Sequence, residues 1–374
     1  MTMKGVAKVR GTNGLKMIST FSGCGGSCLG FEMAGYEVLW ASEFVDAAAE
    51  VYIANHPGVF VDRSDIREVT PEQILLQTGL APGELDVLEG SPPCASFSMS
   101  GRREKLWGAT KKYSDTEQRT DDLFWEFARI LRGLQPRAFA AENVAGLTAG
   151  KARGYFKEIH SELESCGYRV KAKTLDAQWL GVPQRRRRLF FVGVRNDLEK
   201  DPPFPSPMPY RYTLADALPH LRRVTYDPRG QFRIQEAGPD DPMMTIVQSS
   251  SHQVHVEERK AELEQASIEG TAIESEWEKL KPGEKSDKYL NLVKPKPNEP
   301  CPTVTQAAGG RGTAGVTHPT EKRKFTIEEL KRVCAFPPDF ELMGTYKQQW
   351  ERLGRAVPPP MAQAVAEALK EVLL

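Results

Sequence analysis

Short apolar runs, each closed by turn or polar residues, punctuate the first half of the chain. Residues 15–21, 38–42, 86–89, 138–142 and 189–194 have strand length and strand composition. Between them the period changes. Across residues 121–134, Leu123, Phe124, Phe127, Ile130, Leu131 and Leu134 recur every three or four positions, with Asp121 and Asp122 at the start as cap and dipole partners, which predicts a helix. Strand and helix alternating in this way build an α/β, doubly wound parallel sheet, whose ligands bind beyond the carboxyl ends of the strands.

The pattern breaks at Asp201-Pro-Pro-Phe-Pro-Ser-Pro-Met-Pro-Tyr210, where five prolines exclude a helix or central strand. Lys294-Pro-Lys-Pro-Asn-Glu-Pro300 is a second such stretch, and between the two lies a charged helical pattern around residues 256–280. Residues 324–336 and 361–374 return to amphipathic helix spacing. The expected organisation is a flexible lead-in (1–14), a sheet domain (15–200), a smaller irregular domain (201–310) and a C-terminal return to the sheet (311–374).

Composition narrows the class. A chain of 374 residues with 40% hydrophobic and 27% charged residues describes an ordinary globular protein with a sizeable core. No apolar run is long enough for a bilayer and the start lacks the apolar core of a secretory signal, so a cytoplasmic protein without membrane contact is expected. Six cysteines without C-x-x-C spacing argue against a zinc knuckle and a disulfide framework, so no metal is expected. The formal net charge of zero neither demands nor excludes a polyanionic partner.

Candidate chemistry gathers at strand ends. Glu89-Gly-Ser-Pro-Pro-Cys94-Ala-Ser-Phe-Ser-Met-Ser-Gly101 presents one thiol after two prolines that fix the chain leaving a strand. Such a cysteine has the placement of a nucleophile, and nearby cations would favour its thiolate over the thiol of ordinary pKa about 8.5. Thr20-Phe-Ser-Gly23-Cys-Gly25-Gly26 turns from a strand into a helix without completing the dinucleotide fingerprint G-x-G-x-x-G. Glu43 ends the next strand, where a carboxylate suits ribose hydroxyls; Asp65 suits an exocyclic amine, and Ile66 or Phe44 a ring face, unless both acids are simply solvated. Glu142 ends a further apolar strand, where burial would hold it protonated. In Gln184-Arg-Arg186-Arg-Arg188, strand-like alternation puts Gln184, Arg186 and Arg188 on one face, and Arg185 and Arg187 on the other as a basic patch.

In their order, Phe21-Ser-Gly-Cys-Gly-Gly26, Pro92-Pro-Cys94, Glu142-Asn-Val144, Gln184-x-Arg186-x-Arg188 and Leu353-Gly-Arg-Ala-Val-Pro-Pro359 resemble the motifs of the cytosine-C5 DNA methyltransferase family. The resemblance extends from about residue 16 to the end. It implies a Rossmann-like sheet of the class I methyltransferase type with a target-recognition domain in the Pro-bounded insertion, and S-adenosyl-L-methionine as cofactor. Phe21, Ser22, Gly23, Gly25, Gly26, Glu43, Phe44, Asp65, Ile66, Pro92, Arg355 and Ala356 would line the cofactor. Cys94 would add to C6 of a flipped cytosine, Glu142 would act at N3, and Arg186, with Arg188 behind it, would orient O2. Ser96, Ser98, Arg102, Arg103, Gln184, Arg185 and Thr305 would meet double-stranded DNA, the loop 95–118 closing over it with help from Lys105, Lys111 and Lys112. A monomer is expected, in a bacterial or phage setting with a restriction endonuclease as cognate partner.

One departure bears on the chemistry. Arg355 stands where the family usually has asparagine, and a cation there is unfavourable beside a sulfonium unless an anion accompanies it. A carboxylate on the transferred group, as in carboxy-S-adenosyl-L-methionine, would supply that anion and lead to 5-carboxymethylcytosine. Alternatively, Arg355 pairs with Glu43, another acid or DNA phosphate, and methyl transfer persists. An RNA cytosine methyltransferase would share the catalytic set, a non-catalytic DNA-binding protein would not need it, and a dinucleotide oxidoreductase lacks its fingerprint.

Overall fold

The computed structural model describes residues 1–93, 111–113, 116–118, 122–150, 152–226, 232–234 and 260–374. Its apolar runs form β1 (Lys16–Thr20), β2 (Glu37–Ser42), β3 (Phe60–Asp62), β4 (Val87–Gly90), β5 (Ala138–Val144), β6 (Tyr168–Asp176) and β7 (Arg187–Arg195). They assemble into one seven-stranded sheet of order β3-β2-β1-β4-β5-β7-β6. Only β7 runs against its neighbours within that sheet. The chain steps outward from β1 to β3 and then returns to β4, so the order reverses between β1 and β4. A reversal of this kind leaves a crevice beyond the strand ends. The Gly-rich turn follows β1 and the Pro92-Pro93 turn follows β4.

Five strands fall where the apolar runs predict them. The two others were hidden for physical reasons: β3 is three residues long and partly exposed, and β6 alternates Arg169, Lys171 and Lys173 with apolar positions because it lies at the sheet edge.

Apolar side chains cover both faces. On one, Met17, Val87 and Ala140 meet Phe31 of helix Gly26–Met33 and Met361, Val365 and Leu369 of helix Pro359–Leu373. On the other, Ile18, Leu88, Phe139 and Phe191 meet Phe124, Phe127, Ile130 and Leu131 of helix Leu123–Leu134. A third cluster joins Val6 and Leu29 to Leu214, Cys301, Val304, Phe325 and Trp350. A small satellite core gathers Ile268, Ile273, Trp277, Leu280 and Leu292.

Four expectations change. The lead-in is helical over Met3–Val9, capped by the Thr2 side chain, because Val6 is buried in the third cluster. The charged pattern at 256–280 is not one helix: the described part stops before Ser267 and resumes as Glu274–Lys279, with Gly270 at φ 70° between them. Residues 324–336 hold helix Ile327–Val333, shortened at its start because Thr326 and Glu329 form a capping box. Asp122 makes no side-chain cap to the helix it precedes and instead pairs with Arg67 at 2.6 Å. The Pro-rich stretch 201–210 carries neither helix nor strand. Among the described residues, no helix is long and apolar enough to cross a membrane.

Candidate active site

The turn after β1 is held from below and open above. Gly25 has φ 87°, and a Cβ there would lie 2.2 Å from His56 Nε2, so only glycine fits. Gly23, at φ 57°, has nothing within 4 Å of where a Cβ would project. Glu43 fixes this turn: its two carboxylate oxygens accept from the Gly23 N–H at 2.7 Å and the Val45 N–H at 2.8 Å. It is therefore not a solvated strand-end acid; burial raises its pKa, against those two hydrogen bonds and the more distant charges of Arg352 and Arg355. Phe21, Gly23 and Phe44 are half-buried, whereas Ser22, Gly26 and Ile66 are buried. Asp65 is likewise engaged, with Arg67 at 2.8 Å.

Beyond β4, Pro92 is buried and its carbonyl accepts from Asn143 Nδ2 at 3.2 Å, tying this loop to the end of β5. Cys94, Ser96, Ser98, Arg102, Arg103 and Lys105 lie outside the described residues. Further along the loop, Lys111–Tyr113 and Thr116–Gln118 pair as an antiparallel ribbon.

Glu142 and the arginines meet where β5 and β7 run side by side, Val144 opposite Arg188. Arg188 Nε lies 2.7 Å from Glu142 Oε1, both side chains being mostly buried. Burial raises the Glu142 pKa, while Arg188 and then Arg186 oppose it. Arg188, expected to stand behind Arg186, is thus the arginine that touches Glu142. Arg186 is 1% exposed, and its guanidinium donates to the carbonyls of Val304 at 3.2 Å and Arg355 at 2.9 Å. Burial, reinforced by Arg188, pulls its pKa down to about 9.

The alternation of 184–188 holds, with Gln184 and Arg186 inward and Arg185 and Arg187 exposed. That same alternation removes Gln184 from any DNA surface. It is 1% exposed and its Nε2 contacts Cys334 Sγ at 3.4 Å, because residue 184 bridges in parallel to Cys301 inside the third cluster. Arg185 is exposed and pairs with Glu299 at 3.1 Å. Thr305 is half-buried, its carbonyl accepting from Trp350 Nε1.

Arg355 ends helix Tyr346–Arg355, and its Nη2 lies 2.7 Å from Glu351 Oε1 one turn earlier. Ala356, half-buried, caps this helix. Cys24 and Cys28 are buried packing residues whose thiols burial pushes up, that of Cys24 to about 12.

Sequence reasoning passed over one acid. Glu89 is 3% exposed on β4, its Oε2 accepting from Ser19 Oγ at 2.7 Å, which in turn accepts from Ser22 Oγ at 2.8 Å. Burial pushes its pKa up to about 7, with the charge of Glu142 adding to the rise. An acid closing a strand buried at every position was the available signal. Elsewhere His220, His318 and Glu329 bring ligand-type atoms within 4.8 Å of one another. However, Glu329 is gripped by Arg323 at 2.6 Å, and His318 Nδ1 accepts the Glu321 N–H, which leaves the proton on Nε2. That group is a hydrogen-bonded cluster poorly suited to a cation.

The family model for C-5 cytosine-specific DNA methylase matches residues 15–371. Type II methyltransferase M.NgoFVII of Neisseria gonorrhoeae is 32% identical over 364 residues, covering 97% of this chain and 87% of that protein. M1.HphI of Haemophilus parahaemolyticus, also a Type II methyltransferase, is 31% identical over 359 residues, covering 95% and 86%. The S. pombe Dnmt2 methyltransferase structure superposes with TM-score 0.57 at 16% identity over 96% of this chain and 98% of that one, a likeness of fold.

Proposed function

The chain belongs to the C-5 cytosine-specific DNA methylase family, and from that premise we propose that Cys94 adds to C6 of a flipped-out cytosine in duplex DNA while Glu142 serves N3. The observation that carries this reading is the convergence at the end of β5. The buried Glu142–Arg188 pair adjoins Asn143, which grips the turn from which Cys94 departs. Addition of the Cys94 thiolate opens the C5–C6 double bond and moves electron density toward N3. There the Glu142 carboxyl gives its proton, leaving C5 nucleophilic enough to accept a methyl group. Arg188, the cation that touches Glu142, takes the O2-side role, and Arg186 ties the approach to β7 to the carbonyls of Val304 and Arg355. Loss of the C5 proton to a base such as water expels Cys94 and returns the N3 proton to Glu142. A cytosine stacked in the duplex cannot meet a thiol at C6, so the base must leave the helix.

S-adenosyl-L-methionine, which family membership implies, supplies the methyl on a sulfonium when bound. The residues fit it: the space above Gly23 is open, since a Cβ there would meet nothing within 4 Å, and Glu43, which accepts from the Gly23 N–H, stands beside it with the half-buried Phe44 next in the chain. The Type II relatives favour a restriction-modification setting with a cognate endonuclease. Residues 15–200 then carry the chemistry, 201–310 the target recognition, and 311–374 the closing segment.

Arg355 sustains a second reading. Its charge reaches Glu43, on the cofactor side of the sheet. A carboxylate on carboxy-S-adenosyl-L-methionine would pair with it there. Glu351 already supplies an anion at 2.7 Å, so methyl transfer stands first. Two experiments test these readings. With 5-fluorocytosine duplex DNA and cofactor, the protein should form a denaturant-stable adduct that Cys94→Ser abolishes; an adduct in the variant would overturn the assignment. With both cofactors in competition, mass analysis should find 5-methylcytosine, and an excess of 5-carboxymethylcytosine would reverse the order.

A further inference from the structure

Glu89 is a buried acid that the mechanism above leaves unused. Register places it: on β1, β4 and β5, Ser19 is opposite Glu89 and Glu89 opposite Ala140. Since strand side chains alternate, Ser19, Glu89, Ser91, Ala140 and Glu142 share one face of the sheet. Continuing this ladder, the Ser91 N–H donates to the Thr20 carbonyl at 3.3 Å. One step past the paired register of β4 and β5, Ser91 falls beside Glu142, two positions beyond Glu89 on the same face, so its hydroxyl lies between the two acids. Around Glu89 stand Ser19, Ser22 and Ser27, with Cys28 and Tyr52 from the helices packed on that face. Glu142 faces Arg188 of β7 and Arg186 just before that strand. No cation lies within ion-pair distance of Glu89 among the described residues.

We propose that Glu89 is a positioning residue for the catalytic proton, holding it in reserve for Glu142 and passing it through the Ser91 hydroxyl when cytosine docks. The inference rests on the role given to Glu142 above. Proton accounting is closed: Glu89 gives its proton to the Ser91 oxygen as Ser91 gives its own to Glu142, and Glu142 delivers to N3. The route reverses when C5 loses its proton and Cys94 departs. Two neighbouring buried carboxyls resist double ionisation, so the pair keeps one proton to higher pH than Glu142 would alone beside two arginines. Glu89 titrates near 7, which places the loss of the shared proton within the working range of an enzyme assay.

The test is the pH profile of kcat, from pH 6 to 9, for the full chain and Glu89→Gln. The alkaline limb should move to lower pH by roughly one unit, about a tenfold fall in kcat on that limb, with cofactor KM within about twofold and Glu89→Asp restoring part of the shift. If Glu89→Gln does not fold, Ser91→Ala keeps the acid and removes the bridge, so its kcat should fall about tenfold on the plateau with no downward move of the limb. An unmoved limb in folded Glu89→Gln, or an unchanged plateau in Ser91→Ala, would overturn the proposal. Glu142→Ala separates the two ideas: loss of activity there with an unmoved Glu89→Gln limb overturns only the reserve, whereas full activity in Glu142→Ala overturns both.

Discussion

Arg186 and Arg188 are two residues apart on one strand face, yet burial divides their tasks. Arg186 is enclosed by carbonyls of two other segments, so Arg186→Ala should lower stability by about 3 kcal/mol in urea unfolding, the scale of losing charged buried hydrogen bonds. Arg188 pairs with Glu142, the acid proposed to serve N3, so Arg188→Ala should lower kcat about a hundredfold or more, and by leaving a buried carboxylate without its cation it should also cost about 3 kcal/mol. Glu89 links a single residue to stability against pH. Its folded pKa of about 7 lies above the ordinary 4.5, so folding is favoured while the group stays protonated. That stability is full below about 4.5 and declines as pH rises through 7. At about 1.4 kcal/mol per pH unit, Glu89→Gln should remove roughly 3 kcal/mol of the decline between pH 5 and 8, measured as unfolding free energy at each pH. The motif residues were legible in the sequence because their spacing is local. Which arginine meets Glu142 was not, because alternation sets a face and says nothing of what the neighbouring strand presents to it.

At the scale of elements, helix Gly26–Met33 is clamped against helix Pro359–Leu373. A Cβ on Gly30 would lie 2.4 Å from the Pro359 carbonyl oxygen and 2.5 Å from Ala362 Cβ, so Gly30→Ala must push backbone apart. The expected loss is about 2 kcal/mol by denaturant unfolding, with weaker cofactor binding, since the same helix opens with the Gly23–Gly26 turn. Thr326→Ala should cost about 1 kcal/mol by deleting the capping box of helix Ile327–Val333. Elements with a fully buried face announced themselves through apolar runs. The short β3 and the edge strand β6 did not, because neither buries enough of its surface to need such a run.

At the scale of the whole molecule, the chain returns at its end to complete a site begun near its start. Arg355 gives its carbonyl to Arg186, just before β7, and its helix is followed by the one that seals Gly30. Cofactor binding should therefore stabilise the molecule as a unit, by about 2.7 kcal/mol at a hundredfold excess over Kd, seen as a single upward shift of the thermal transition. By itself, the sequence determined the α/β class, five sheet strands and the ordered set Cys94, Glu142, Arg186 and Arg188, because apolar periodicity and short motifs are properties of neighbours along the chain. Only the tertiary structure decided that Gln184 is buried, that Arg188 holds Glu142, that Arg355 meets Glu351 and that Glu89 stands one strand from Glu142. Those relations arise from register between strands and packing between distant segments, and no local pattern encodes them.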